Sequence, residues 1–177
     1  AAKCSSFGFS GKILTTSATA ALCGIMLKDS AHIQETESKW DNQKRKRKGL
    51  PPRPPLYTIE DAEKAAEYFQ TVEYNNKIAL ENGISATFFD AGHILGSAHI
   101  LFESEELRIG FSGDIGSHIN PVLKQPRSFE DIDYLVMEST YGNRGRHKIE
   151  DSLNTLSDII NESLLSGGKI LIPSFAI

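Results

Sequence analysis

Cysteine is scarce in this chain: Cys4 and Cys23 are the only two in 177 residues. Two thiols cannot build the disulfide framework of a small secreted domain, so both are expected to be reduced and buried, with a cytoplasmic setting as the default. Long apolar runs are also missing. No stretch approaches the ~20 residues of a membrane span, and no charged-then-apolar leader is present, so no membrane partner is expected. Neither sign of charge dominates, since 19 Lys and Arg face 23 Asp and Glu for a formal charge of −4. That balance leaves a nucleic-acid partner open, because binding depends on where cations cluster. The hydrophobic fraction of 40% is ordinary for a globular protein, and a chain of this length supports one domain that buries about two thirds of its unfolded surface.

What is there is organised around Asp90-Ala91-Gly92-His93-Ile94-Leu95-Gly96-Ser97-Ala98-His99, read with Phe111-Ser112-Gly113-Asp114. Gly92 and Gly96 let the backbone turn sharply after one apolar strand and present the His93 imidazole, and Gly113 does the same for Asp114. If Ala98–Phe102 and Leu107–Phe111 form a hairpin turning at Glu103–Glu106, the two loops return to one edge of the sheet. One nitrogen and one carboxylate there make the start of a zinc site. Taken alone, a Gly-His or Gly-Asp is equally an ordinary solvated turn, and on spacing both readings stand.

Elsewhere the chain alternates strand and helix signals. Lys12–Thr16 reads as a strand. Ser17 caps a helix through Ala18–Lys28 with Leu22, Ile25 and Met26 on one side, and Asp29 or Ser30 opens a second helix carrying Ile33, Glu37 and Trp40. Lys44-Arg45-Lys46-Arg47-Lys48 repels itself and precedes the proline-rich Gly49–Pro55. It is expected to be a solvated, mobile helix end dispensable for chemistry, with an RNA contact as the alternative. Thr58–Asp61 forms a capping box for a helix through Phe69, whose buried stripe is Ala62, Ala65, Ala66 and Phe69. Turn signals surround a strand at Ile78–Leu80, and Ile84–Phe89 alternates as a strand. His99 faces one side of its strand and is not a ligand. Asp133–Met137 reads as a buried strand that delivers Glu138 at its end. A helix with Leu153, Leu156, Ile159, Ile160 and Leu164 on its core face stops at Gly167-Gly168, and Lys169–Phe175 is expected to be another buried strand.

Asp-Ala-Gly-His-Ile-Leu-Gly-Ser-Ala at 90–98, Phe-Ser-Gly-Asp-Ile-Gly at 111–116 and Glu138-Ser139-Thr140-Tyr141-Gly142 resemble, in order and spacing, three motifs of the beta-CASP metallo-β-lactamase family, which contains RNA-processing nucleases. The resemblance extends to Asp29–Glu35, Leu56-Tyr57-Thr58 and Gly167–Ala176, so it runs nearly end to end. It implies an α/β fold, part of the αββα metallo-β-lactamase sandwich. Residues 1–141 would belong to the metallo-β-lactamase domain and 142–177 to the start of an inserted beta-CASP domain. His32 shares in the family pattern, but no physical role follows for it.

Phosphodiester cleavage needs a nucleophile that is strong at neutral pH and positive charge beside the phosphoryl oxygens, and two zinc ions supply both. By resemblance, Asp114 is the ligand shared between the ions and His93 binds one of them. Glu138 would pair with a histidine of the inserted domain and fix its tautomer, acting as a catalytic carboxylate, although a strand-end glutamate can also simply cap nearby backbone. Arg144, with Arg146 across Gly145, is the candidate contact to an RNA phosphate.

Two departures from the family pattern stand out. The family's His-x-His-x-Asp-His run is nowhere in the chain, and its later histidines would lie beyond Ile177. Because the chain opens at Ala1 without a methionine and stops inside an apolar run, it is expected to be an internal piece of a longer protein, inactive on its own, with the missing run just upstream. The expected activity of the full protein is zinc-dependent hydrolysis of single-stranded RNA, endonucleolytic with or without an exonucleolytic mode. A homodimer is compatible with exposed strand edges. A DNA-processing nuclease, a small-molecule hydrolase of the same fold and a metal-free scaffold are the alternatives.

Overall fold

The β-branched run Ile13–Thr16 opens the fold as strand β1, and its last residue turns the chain into helix α1, Ser17–Arg47, in a computed structural model that describes residues 9–143 and 149–174. The cap is Thr16 and not Ser17: the Thr16 hydroxyl oxygen accepts from the Thr19 N–H at 3.3 Å. Nor does the helix stop at Lys28. No proline follows in the next 19 positions and Ala31 packs fully buried, so Asp29 and Ser30 stay helical and two expected helices are one. Ile25 and Met26 are exposed, so they do not form the core face expected of them. Cys23 is a half-buried free thiol; Cys4 lies outside the described residues.

The C-terminal end of α1 is held by the proline-rich segment, which folds back along the helix as a strap. Asn42 pairs with the Arg53 backbone as a neighbouring strand would, its Nδ2 donating to the Arg53 carbonyl and its Oδ1 accepting from the Arg53 N–H, both at 2.7 Å. Ser38 donates to the same carbonyl and Arg45 to that of Pro51. The basic run is therefore helical through Arg47, with Arg45 on the strap and Lys44, Lys46, Arg47 and Lys48 exposed, in keeping with the solvated helix end expected there. The strap leads through Tyr57, whose hydroxyl donates to Ser30, into helix α2, Ile59–Ala66. Its capping box is present, with Thr58 and Asp61 satisfying each other's backbone N–H. Ala62 and Ala65 are buried beside α1. Phe69 does not continue α2. Phe69-Gln70-Thr71-Val72 is strand β2, parallel to β1, because the long-range ladder outweighs helix propensity in so short a segment.

The second sheet has five strands in sequence order: β3 Lys77–Ala79, β4 Ser85–Asp90, β5 Ala98–Glu103, β6 Arg108–Phe111 and β7 Tyr134–Val136. All neighbours are antiparallel except β6 and β7. The β3–β4 turn takes left-handed backbone at Asn82 and Gly83, and the β5–β6 hairpin is the expected one. The core lies between the sheets, where Val72 of β2 meets Ala86 and Phe88 of β4, with Leu14, Ile78, Ile100 and Phe102 around them. With α1 and α2 packed together beside the smaller sheet, these layers form part of an α/β sandwich, as expected.

Behind β4–β6 the irregular segment after Asp114 supplies a cover. Phe129 lies against Gly110, where a Cβ would come within 2.9 Å of its ring, and stands edge-on to Phe89. The guanidinium of Arg127 lies 4.7 Å from the centre of the Phe89 ring.

Three expectations about burial are corrected. Tyr134, Leu135 and Val136 of β7 are exposed, since β7 is the edge of its sheet among the described residues. Residues 139–177 form a separate compact unit. In it, helix α3, Ile149–Leu165, exposes Leu153, Leu156, Ile159 and Leu164 and ends at Gly167 in left-handed backbone. Residues 169–174 form no strand, and Ile170, Leu171 and Ile172 are exposed. Apolar spacing alone predicted burial here, but burial needs a partner element packed on the face, which periodicity does not supply. No helix among the described residues is long and apolar enough to cross a membrane.

Gly24 sits inside α1 with nothing within 4 Å of where a Cβ would be. Gly24→Ala should therefore stabilise the chain by about 0.5–1 kcal/mol through lower unfolded-state entropy, measured as an upward shift of the urea midpoint at constant m-value.

Candidate functional site

Two loops, one leaving β4 and one leaving β6, meet at a single edge of the five-stranded sheet. In the first, Asp90 Oδ1 accepts from the Gly92 N–H at 2.9 Å and Gly92 takes left-handed backbone (φ +61°), so the chain turns at once on leaving the strand. Ser97 closes the turn from the other side: its hydroxyl oxygen accepts from the N–H groups of His93, at 3.1 Å, and Ile94, at 3.3 Å. The Gly96 carbonyl accepts from the hydroxyls of Thr16 and Thr19, and the Ser97 carbonyl from that of Tyr74. Burial, with the nearby Asp90 charge behind it, pushes the Tyr74 phenol above its ordinary pKa, so it stays a donor at neutral pH. The first sheet and the start of α1 thus hold the loop that carries His93.

The second loop is held from within its own sheet. The Ser112 N–H donates to the Val136 carbonyl at 2.9 Å, and the Ser112 hydroxyl accepts from the Glu138 N–H at 3.1 Å while donating to the Gly113 carbonyl at 2.6 Å. His99 is buried on the sheet face, as expected for a residue that is not a ligand, and its Nδ1 bonds the Ser112 carbonyl. A carbonyl can only accept, so that nitrogen carries the proton. Glu138 Oε1 accepts from the N–H of Ile115, the residue after Asp114. The carboxylate therefore caps the Asp114 loop, the simpler of the two roles its sequence position suggested. Gly113 takes φ +54° to make the bend.

The loops are locked to each other through backbone. The Gly116 N–H donates to the Ala91 carbonyl at 2.9 Å, and a Cβ on Gly116 would overlap the Gly92 carbonyl. The outcome is that His93 Nε2 and Asp114 Oδ2 lie 3.7 Å apart with both side chains solvent-accessible, 43% and 73% exposed. The same-edge geometry read from the hairpin is present. No group of three or more His, Cys, Asp or Glu stands ready for a metal among the described residues. Arg144, with Arg146, lies outside those residues. Ser97, Ser112 and Gly116 were overlooked in the sequence although each lies inside a motif. The signal was available for Gly116, a glycine two residues past Asp114.

No family model matches the chain. It is 29% identical over 170 residues to ribonuclease TTHA0252 of Thermus thermophilus, covering 96% of this chain and 35% of that protein. It is also 29% identical over 173 residues to endoribonuclease YSH1 of Saccharomyces cerevisiae, covering 96% of this chain and 21% of the relative. An RNase J-like protein of Methanocaldococcus jannaschii is 35% identical over 127 residues, covering 68% of this chain and 30% of its own length. The chain thus spans about a third or less of these relatives.

The loop-to-loop lock makes a sharp prediction. The three atoms nearest the added methyl in Gly116→Ala, the Gly92 carbonyl oxygen and carbon and the His93 nitrogen, are all backbone and cannot rotate away, so the variant should lose more than about 2 kcal/mol of stability. Urea denaturation should place its midpoint well below wild type; an unchanged midpoint would mean the two loops are not locked there.

Proposed function

We propose that this chain, which belongs to the beta-CASP metallo-β-lactamase family, supplies two ligands of a zinc site with which the longer protein hydrolyses phosphodiester bonds in RNA. The observation that carries the reading is the 3.7 Å approach of His93 Nε2 to Asp114 Oδ2 at an accessible sheet edge. Two donors each ~2.0–2.2 Å from one tetrahedral ion are roughly 3.4 Å apart, so the pair fits a shared metal with little movement. Bound zinc would bring the pKa of a water towards neutrality and place positive charge beside the phosphoryl oxygens.

The chain's own residues provide position. A neutral His93 offers the Nε2 lone pair while Ser97 holds its backbone. Asp114 has two carboxylate oxygens and can serve two ions at once, and its exposure leaves room for ligands from elsewhere. Glu138 acts through the backbone, fixing the peptide that follows Asp114. In the longer protein we assign it a second task, orienting a histidine of the inserted domain. RNA is preferred as substrate over DNA or a small molecule because the relatives are named ribonuclease, endoribonuclease and RNase J-like. Retention of both His93 and Asp114 argues against a metal-free scaffold.

In the full-length protein, Asp114→Ala should remove bound zinc and lower RNA cleavage by several orders of magnitude while the fold persists. Metal content by mass spectrometry and turnover of a labelled RNA check it together; stoichiometric zinc with retained cleavage would overturn the assignment. This chain alone, offering two of the four ligands zinc normally takes, should bind zinc weakly and leave the same RNA intact.

A further inference from the structure

The far end of α1 carries a feature that the proposed chemistry does not use. Five consecutive cations, Lys44–Lys48, stand in a chain whose other 14 basic residues face 23 acidic ones. None of the five is in an ion pair among the described residues. A basic last turn offsets the helix dipole, but one or two charges suffice for that, and Arg45 is spent on the strap. The helix nevertheless stays intact through Arg47, with the Lys48 N–H donating to the Arg45 carbonyl and Gly49 in left-handed backbone. The mutual repulsion of these charges is thus borne by an ordered element.

The geometry sorts the helix into two faces. Ser38, Asn42 and Arg45, at i, i+4 and i+7, hold the strap. Trp40, Lys44 and Arg47 have the same spacing, two residues or about 200° further round, and so form the opposite face. Trp40 is 63% exposed although it is the only tryptophan in the chain, and Ile33, two turns earlier on that face, is exposed as well. An uncovered indole next to unneutralised cations is the pairing that proteins use for single-stranded nucleic acid, with the ring stacking a base and the cations tracking phosphates. Glu37, at i−3 from Trp40, and Asp41, at i−3 from Lys44, are the acids of the helix beside this face, and neither is in an ion pair among the described residues.

We infer that the Trp40–Lys44–Arg47 face of α1 is a docking surface for single-stranded RNA, separate from the cleavage site. The inference rests on the RNA reading above and gives it a direction. The first turn of α1 bonds the Gly96 carbonyl beside His93, and the helix is about 46 Å long. A strand reaching from the metal edge to the basic tip would span roughly 14 stacked nucleotides at 3.4 Å each.

The test is a fluorescence titration of this chain with a 25-nucleotide oligouridylate, without added metal, reading Trp40 emission. Binding should quench that emission and weaken with salt. Lys44→Gln with Arg47→Gln should lower the slope of log K against log salt by about 1.4, at ~0.7 per phosphate contact on a single strand. Anisotropy of a labelled oligouridylate should show about tenfold weaker binding for Trp40→Ala and near-normal binding for Trp40→Phe, which keeps a stacking ring and guards against a folding artefact. RNA that binds with Trp40 emission unmoved would overturn the inference. So would a polyglutamate peptide that quenches as strongly as RNA, because the face would then be selecting an acidic protein partner. The titration needs neither zinc nor turnover, so its failure is distinct from a failure of the hydrolytic reading.

Discussion

Everything at the candidate site depends on how two strand-end loops pair their backbone groups. A loop that leaves a sheet frees N–H and C=O groups, and each buried one costs free energy unless paired. Here Asp90, Ser97, Ser112 and Glu138 do the pairing from inside the loops or beside them, and Thr16 at the end of β1, Thr19 in the first turn of α1 and Tyr74 just past β2 reach in from the other layer. Because these bonds cross between layers, the position of His93 is tied to the packing of the two sheets. The position of Asp114 is tied to β7 through Ser112 and Glu138.

This arrangement explains why the motif is rich in glycine and serine as well as carrying His93 and Asp114. Gly116 comes so close to Gly92 that no side chain fits, and its N–H bonds the preceding Ala91 carbonyl, which sets the spacing between loops at backbone resolution. Serine hydroxyls both donate and accept, so Ser112 can receive the Glu138 N–H and pass a bond on to Gly113. The His93 and Asp114 side chains themselves are left exposed.

Much of this was legible in the sequence where the signal is local. The capping box at Thr58, the turns at Asn82 and Gly83, the β5–β6 hairpin and the meeting of His93 with Asp114 all follow from short-range rules. The reading failed where the answer depends on distant residues. Ser17, Asp29 and Ser30 look like helix starts, yet Thr16 caps a single long helix because no local breaker intervenes and Tyr57 occupies the Ser30 hydroxyl. Phe69 looks like the end of α2, yet β1, more than fifty residues earlier, recruits it into a ladder. The apolar residues of β7 and α3 were read as buried but are exposed, because hydrophobic spacing carries no information on whether another element covers the face. Glu138 was read both as a catalytic carboxylate and as a cap on nearby backbone; its bond to Ile115 is of the capping kind, and which N–H it reaches depends on the register of β6 against β7.

The central claim is that these two loops form one half of a metal centre. The most direct measurement is a crystal structure of the longer protein soaked in zinc, with the metal located by its anomalous scattering. The account predicts a peak about 2.0–2.2 Å from both His93 Nε2 and an Asp114 oxygen. A fully occupied zinc that touches neither residue would contradict it.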